Sequence, residues 1–140
     1  MYKKIVSAGM IATALAFASP ALAVSNSDSA AKIACVGSAV NTRETAVSTA
    51  VAAHSQAVQA AYTARATALQ AAYALVNAVD IKAAVKAAWS AFVKANSAAG
   101  NTWRTARNTA WNTYRAAAKA CKAPAAVSDA SSAALESAGN

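Results

Sequence analysis

The larger apolar side chains of this chain recur every eleven residues, a period that points to long, nearly straight α-helix. Val36, Val47, Val58 and Leu69 form one series, and Val40, Val51, Tyr62 and Tyr73 a second. Further along, Ile81, Phe92, Trp103 and Tyr114 form a third, with Trp89, Gly100 and Trp111 beside it. Eleven residues make three turns at about 3.67 residues per turn, so each series stays on one stripe of a helix. A direct echo, Gln59-Ala-Ala-Tyr62 followed by Gln70-Ala-Ala-Tyr73, repeats the same step. Composition agrees: most of the 57% hydrophobic fraction is alanine, the strongest helix former, and little in the chain looks like a strand. Asn96-Ser-Ala-Ala-Gly100-Asn101 resembles a break, yet the series keep phase across it, which favours one continuous helix. A three-helix bundle broken near Gly100 is the alternative.

One short turn signal, Asn77-Ala78-Val79-Asp80, divides the periodic region. Asn77 suits the end of one helix and Asp80 the N-cap of the next. Cys35 and Cys121 stand almost symmetrically about it, because residue 78 lies midway between them. An antiparallel hairpin over residues 33–123, turning at 77–80, brings the two thiols together at its open end. Each cysteine also belongs to a stripe of small residues. Cys35 shares its stripe with Ala46, Ala57, Ala68 and Val79, and Cys121 with Ala88, Ala99 and Ala110. Neighbouring stripes hold only alanine: Ala39, Ala50, Ala61 and Ala72 in the first half, Ala84, Ala95, Ala106 and Ala117 in the second. Small residues let helix axes approach closely, and a disulfide needs Cα atoms only about 4.4–6.8 Å apart. The expectation is therefore a coiled-coil-like hairpin with an alanine seam and one disulfide. Closing an 87-residue loop stabilises by about 4.6 kcal/mol in the loop-entropy treatment. A reactive or metal-binding role for the pair has no CxxC motif behind it, and His54 lies about five turns from Cys35.

The ends read differently. Lys3 and Lys4, the apolar stretch Ile5 to Phe17 and the small-x-small site Ala21-Leu22-Ala23 form a secretory signal over residues 1–23, with cleavage after Ala23. Residues 24–32 are a polar lead-in whose Ser27 or Asp28 is placed to cap the first helix. Pro124 stops the second helix, and residues 124–140 form a Ser/Ala-rich tail without apolar period, expected to be disordered. The localisation implied is periplasmic or extracellular, an environment in which a disulfide persists.

The formal charge of +8 falls to +6 when Lys3 and Lys4 leave with the signal. Lys82, Lys86, Lys94, Arg104, Arg107, Arg115, Lys119 and Lys122 lie in the second half, and no acidic residue lies among them. Most project beside Trp89 and Trp111, away from the alanine seam, and Arg107 and Arg115 follow Trp103 and Trp111 by four residues. Two readings stand: a solvated face whose long side chains shield aromatic rims, or an anion-binding ridge about 60 Å long at 1.5 Å per residue. Candidate partners for a ridge are nucleic acid, anionic lipid head groups or acidic cell-wall polymer. A smaller series, Arg43, His54, Arg65 and Val76, has no carboxylate opposite it on the second helix. Its arginines are expected to reach solvent at the edge of the seam, with His54 partly buried, or else the series marks a contact with a second hairpin or an anionic ligand.

Catalysis finds no foothold. Asp28, Asp129 and Glu136 fall in the expected lead-in and tail, and Glu44 is ten residues from His54, about 15 Å along a helix. No phosphate-binding glycine loop or metal-ligand spacing occurs, so no cofactor, metal or small-molecule substrate is implied.

The segments Ile33-Ala-Cys35-Val-Gly-Ser-Ala-Val40-Asn-Thr-Arg43-Glu44-Thr-Ala, Lys86-Ala-Ala-Trp89-Ser-Ala-Phe92, Ala110-Trp111-Asn-Thr-Tyr114-Arg115 and Lys119-Ala-Cys121 span most of the chain after the signal. They resemble short secreted Ala-rich two-cysteine helical proteins of uncultivated small-genome bacteria. That group carries no known activity, so the resemblance implies export and helices and nothing catalytic. The functional expectation is a non-enzymatic envelope or secreted protein that binds polyanions or the envelope surface through its basic helix. Two alternatives are a self-associating scaffold, a homo-oligomer pairing through the Val40/Tyr62/Tyr73 and Phe92/Trp103/Tyr114 series, and a periplasmic chaperone-like protein.

Overall fold

The computed structural model describes residues 20–127 and Asp129, and there the chain is two long helices folded back on each other. Helix α1 runs over Pro20–Tyr73 and α2 over Ala78–Ala120, 54 and 43 residues long. A single 3-10 turn follows at Ala125–Val127. No strand occurs among the described residues. The all-α hairpin is thus as expected, and the three-helix alternative is excluded, because α2 passes through Asn96 to Asn101 without a break. Gly100 costs a helix interior about 1 kcal/mol relative to alanine, too little to interrupt a helix whose buried alanines, Ala88, Ala99 and Ala110, keep packing in the seam on both sides of it. Residues 1–19, most of the expected signal, and 130–140, most of the expected tail, lie outside the described residues.

Three boundaries differ from the sequence expectation. Residues 24–32 are part of α1 and form no separate lead-in, since neither Gly nor Pro lies between Pro20 and Gly37 to interrupt it. Ser27 and Asp28 therefore lie within α1 and not at its N-cap. Asp28 instead pairs with Lys32, one turn on, at 2.6 Å. Helix α1 ends at Tyr73, and the link occupies residues 74–77, ahead of the expected 77–80. Asn77 is the N-cap of α2, its Oδ1 accepting the Val79 N–H at 2.8 Å. Asp80 moves into the first turn, where its charge complements the positive end of the helix dipole.

The seam is built from one small-residue stripe on each helix. Ala39, Ala50, Ala61 and Ala72 of α1 are buried, as are Ala88, Ala99, Ala110 and Cys121 of α2. The other two stripes, led by Ala46 and Ala57 on α1 and by Ala84 and Ala95 on α2, flank the seam and stay exposed or half-buried. Cys35 and Cys121 are joined at the open end, their Cα atoms 5.7 Å apart, inside the range that the bond requires.

Beyond the disulfide the chain doubles back. Lys122 adopts φ 53°, the left-handed conformation that commonly ends a helix, and its N–H donates to the Lys119 carbonyl at 3.3 Å. Pro124 and the 3-10 turn then carry the chain to Asp129, whose N–H donates to the Tyr114 hydroxyl at 3.1 Å. The expected loose tail is therefore anchored as far as Asp129. Its carboxylate, held by the buried Arg43, and its amide, held by Tyr114, fix the end of this segment against α1 and α2.

Candidate anion-binding ridge and the ladder behind it

The antiparallel register sets one face of α1 against one face of α2, and the eleven-residue step makes the contact repeat. Arg43 meets Tyr114, His54 meets Trp103, and Arg65 meets Phe92: eleven residues up one helix matches eleven down the other. The Arg65 guanidinium carbon lies 4.3 Å from the Phe92 ring centre, 4.5 Å from Trp89 and 4.7 Å from Tyr62. Arg43 lies 4.2 Å from Trp111 and 4.6 Å from Tyr114. In both rungs the two α2 rings stand three residues apart and pack edge to face, Trp89 with Phe92 at 5.9 Å and Trp111 with Tyr114 at 5.8 Å. The middle rung is reduced. Gly100 takes the place of the first tryptophan and His54 the place of arginine, leaving one tilted contact with Trp103 at 6.4 Å.

Arg43 is the most deeply placed charge of the described residues, only 6% exposed. Its Nε donates to Glu44 Oε1 at 3.0 Å and its Nη1 to Asp129 Oδ1 at 2.8 Å. Burial is the largest influence and opposes its charge. The hydrogen bonds to Glu44 and Asp129, with the charges of the same carboxylates, together outweigh it and raise the guanidinium pKa. For Asp129 the partial burial likewise works toward the neutral form. Hydrogen bonds from Tyr114 and Arg43 and the Arg43 charge prevail and hold its carboxyl below the usual carboxylate range. The expectation that Arg43 and Arg65 reach solvent at the seam edge is thus overturned, since Arg43 is buried and Arg65 half-buried, whereas His54 is half-buried as expected. Each lies against aromatic rings of α2, which attract a cation or stack an imidazole without the help of a carboxylate from that helix.

The basic residues of α2 sit elsewhere. Lys82, Lys86, Lys94, Arg104, Arg115 and Lys119, with Lys122 just beyond the helix, are exposed, and Arg107 is half-buried over Trp103 at 6.0 Å. Lys82, Arg104 and Arg115 fall on one eleven-residue stripe, and Lys86 and Lys119 on the next. Asparagines hold the guanidinium groups in place: Asn101 accepts from Arg104, Asn112 from Arg115 at 3.0 Å, and Asn108 from Arg107 at 3.3 Å. Among the described residues, the cations in ion pairs are Lys32 and Arg43, so no described carboxylate neutralises any of these eight. Trp89 is exposed beside them, whereas Trp111 is 7% exposed and belongs to the core with Ala39 and Tyr114. The expected pair of tryptophan edges is therefore a single one.

No group of three or more His, Cys, Asp or Glu among the described residues is arranged to hold a metal ion, and no described helix is long and apolar enough to cross a membrane. Sequence reasoning picked out both the Arg43/His54/Arg65 stripe and the Phe92/Trp103/Tyr114 stripe but did not bring them together. The signal was available in the cysteine numbers: reflecting Arg43, His54 or Arg65 through residue 78 lands one residue from its ring. No protein family, curated protein or solved structure matches this chain.

Proposed function

We propose that the chain is exported and that the mature hairpin binds an anionic polymer or anionic lipid surface, without catalysis, through the outer face of α2. The observation that carries this reading is the contrast between its two sets of cations. Arg43 and Arg65 of α1 are engaged by rings, and Arg43 by carboxylates as well, so they serve the fold. Along α2 the cations are engaged far less: seven of the eight are exposed, Arg107 and Arg115 come no nearer to a ring than 6.0 and 5.9 Å, and no described carboxylate pairs with any of them. An unbalanced row of charge on a stiff helix raises the local concentration of polyanions and is weakened by salt. Exposed Trp89 adds an aromatic edge next to that row.

The test is retention on heparin and on anionic vesicles as salt is raised. Steep release is expected, and replacing both Arg104 and Arg115 by glutamine should lower the salt slope by about one per cation removed. Absence of retention at low salt, or retention indifferent to salt, contradicts the reading. Comparing heparin, nucleic acid and vesicles then separates a polymer partner from a membrane surface.

A further inference from the structure

The ladder closes one side of the seam; on the other side the helices leave a long groove. Its central part is a cleft of about 610 Å³ lined by Ala53, Ala57, Ala64, Ala95, Ala98 and Thr102, with His54 and Trp103 at its base. Clefts of about 300 and 290 Å³ continue it toward either end, past Thr42 and Thr113 in one direction and past Ala68 and Ala91 in the other. Three stripes of each helix face this side. From Thr42 to Ala71 on α1 and from Ala84 to Ala120 on α2 they hold alanine and threonine alone. The Thr42 and Thr49 hydroxyls donate to the carbonyls of Ser38 and Thr45, which leaves their methyl groups to face outward.

From this we infer that the groove is the contact surface for a second copy of this chain, two hairpins packing groove to groove into a four-helix assembly. Two observations select that occupant. The first is continuity with the α1–α2 seam, where stripes of alanine at the same eleven-residue step already pack helix against helix at close range. The flanking stripes repeat that surface on both helices, so a copy of either helix offers the groove the same spacing of small side chains. The second is charge. The chain is strongly basic, and a copy approaching by the ridge would meet like charge, whereas the groove stripes carry none. The cations that line the groove's end clefts, Arg43 and Arg65, are already engaged by rings, and Arg43 by carboxylates as well, so groove-to-groove contact turns both ridges outward. A two-fold axis makes such a contact self-complementary. The surface differs from the Phe92/Trp103/Tyr114 series expected to pair between hairpins, because α1 already covers that series within one chain.

The test is light scattering on the disulfide-closed chain, wild type beside three single variants. Ala57→Glu and Ala98→Glu place a charge at exposed positions in the groove. Val51→Glu places the same charge on an exposed position of the opposite side. Wild type and Val51→Glu are expected at twice the chain mass in high as well as low salt. Ala57→Glu and Ala98→Glu are expected at the chain mass, with circular dichroism unchanged because neither position is buried in the seam. A wild-type mass of one chain at every concentration and salt overturns the inference. So does a dimer that survives both groove variants or that Val51→Glu disperses. Binding to heparin is indifferent to these outcomes, so dimerisation and polyanion binding stand or fall separately.

Discussion

The two sides of the seam are made by the same pair of helices, at the same period, and end in opposite states. On the ladder side, Arg43, His54 and Arg65 reach across to large rings, and the space between the helices is filled. On the groove side, alanine and threonine are too short to meet across the same distance, and the space stays open. Periodicity fixes which residues share a stripe. Side-chain size decides whether two facing stripes close on each other or wait for something else. The stability of a single hairpin should therefore depend on the disulfide and the ladder, with the groove contributing little until it is covered.

Severing the disulfide is the most severe way to break this contrast. Cys35→Ala and Cys121→Ala together should destabilise the hairpin by about 4.6 kcal/mol, measured by denaturant unfolding, because the bond spans a sequence separation of 86. Both sides lose register at once. Arg43→Ala attacks the ladder alone and should cost about 2–3 kcal/mol, since it removes a cation stacked on two rings and leaves Asp129 without its ion pair. Ala57→Ser on the groove side should change stability by no more than about 0.5 kcal/mol. If the two substitutions cost the same, the contrast between the sides fails.

Acid probes the end of the ladder more gently. The Asp129 carboxyl is held below its ordinary value in the folded chain, so its contribution is complete above the unfolded pKa and is lost as pH falls through the folded one. The raised pKa of Arg43 works in the opposite sense, its contribution fading only at extreme alkalinity. Lowering pH through and below the carboxylate range should release Asp129 and the residues before it, back to Pro124, while the helices persist. Faster hydrogen exchange at the Asp129 amide, now bonded to Tyr114, with unchanged helical dichroism, is the expected record. Gly100→Ala tests the weak middle rung. A methyl there meets nothing within 4 Å, so the substitution should stabilise α2 by up to about 1 kcal/mol through helix propensity alone.

The hairpin, its disulfide and its alanine seam were legible from the stripes and the cysteine numbers, because period and loop symmetry are properties of sequence. What was not legible depended on which of two adjacent small-residue stripes becomes the seam. Ala39 and its series are buried, while Ala46 and Ala57, only one stripe away, are exposed. That rotation of a fraction of a turn carries Arg43 and Arg65 from the expected solvent edge onto the rings of α2. It also takes Trp111 into the core, leaving Trp89 as the exposed edge near the cations. The anchoring of Asp129 was hidden for a different reason: one carboxylate in a Ser/Ala-rich segment has no local pattern, and its partner lies 86 residues away. The exposed cations of α2 were legible residue by residue, since no acidic residue lies between Ile81 and Lys122.

The register of the ladder is tested most directly by double-mutant cycles at Arg65. Arg65→Ala combined with Phe92→Leu should show a coupling of about 0.5–2 kcal/mol, as befits a cation facing a ring. The same substitution combined with Trp103→Leu, one rung away, should be additive within about 0.3–0.5 kcal/mol. Additivity with Phe92 together with coupling to Trp103 would place the helices one rung out of register and contradict the arrangement described.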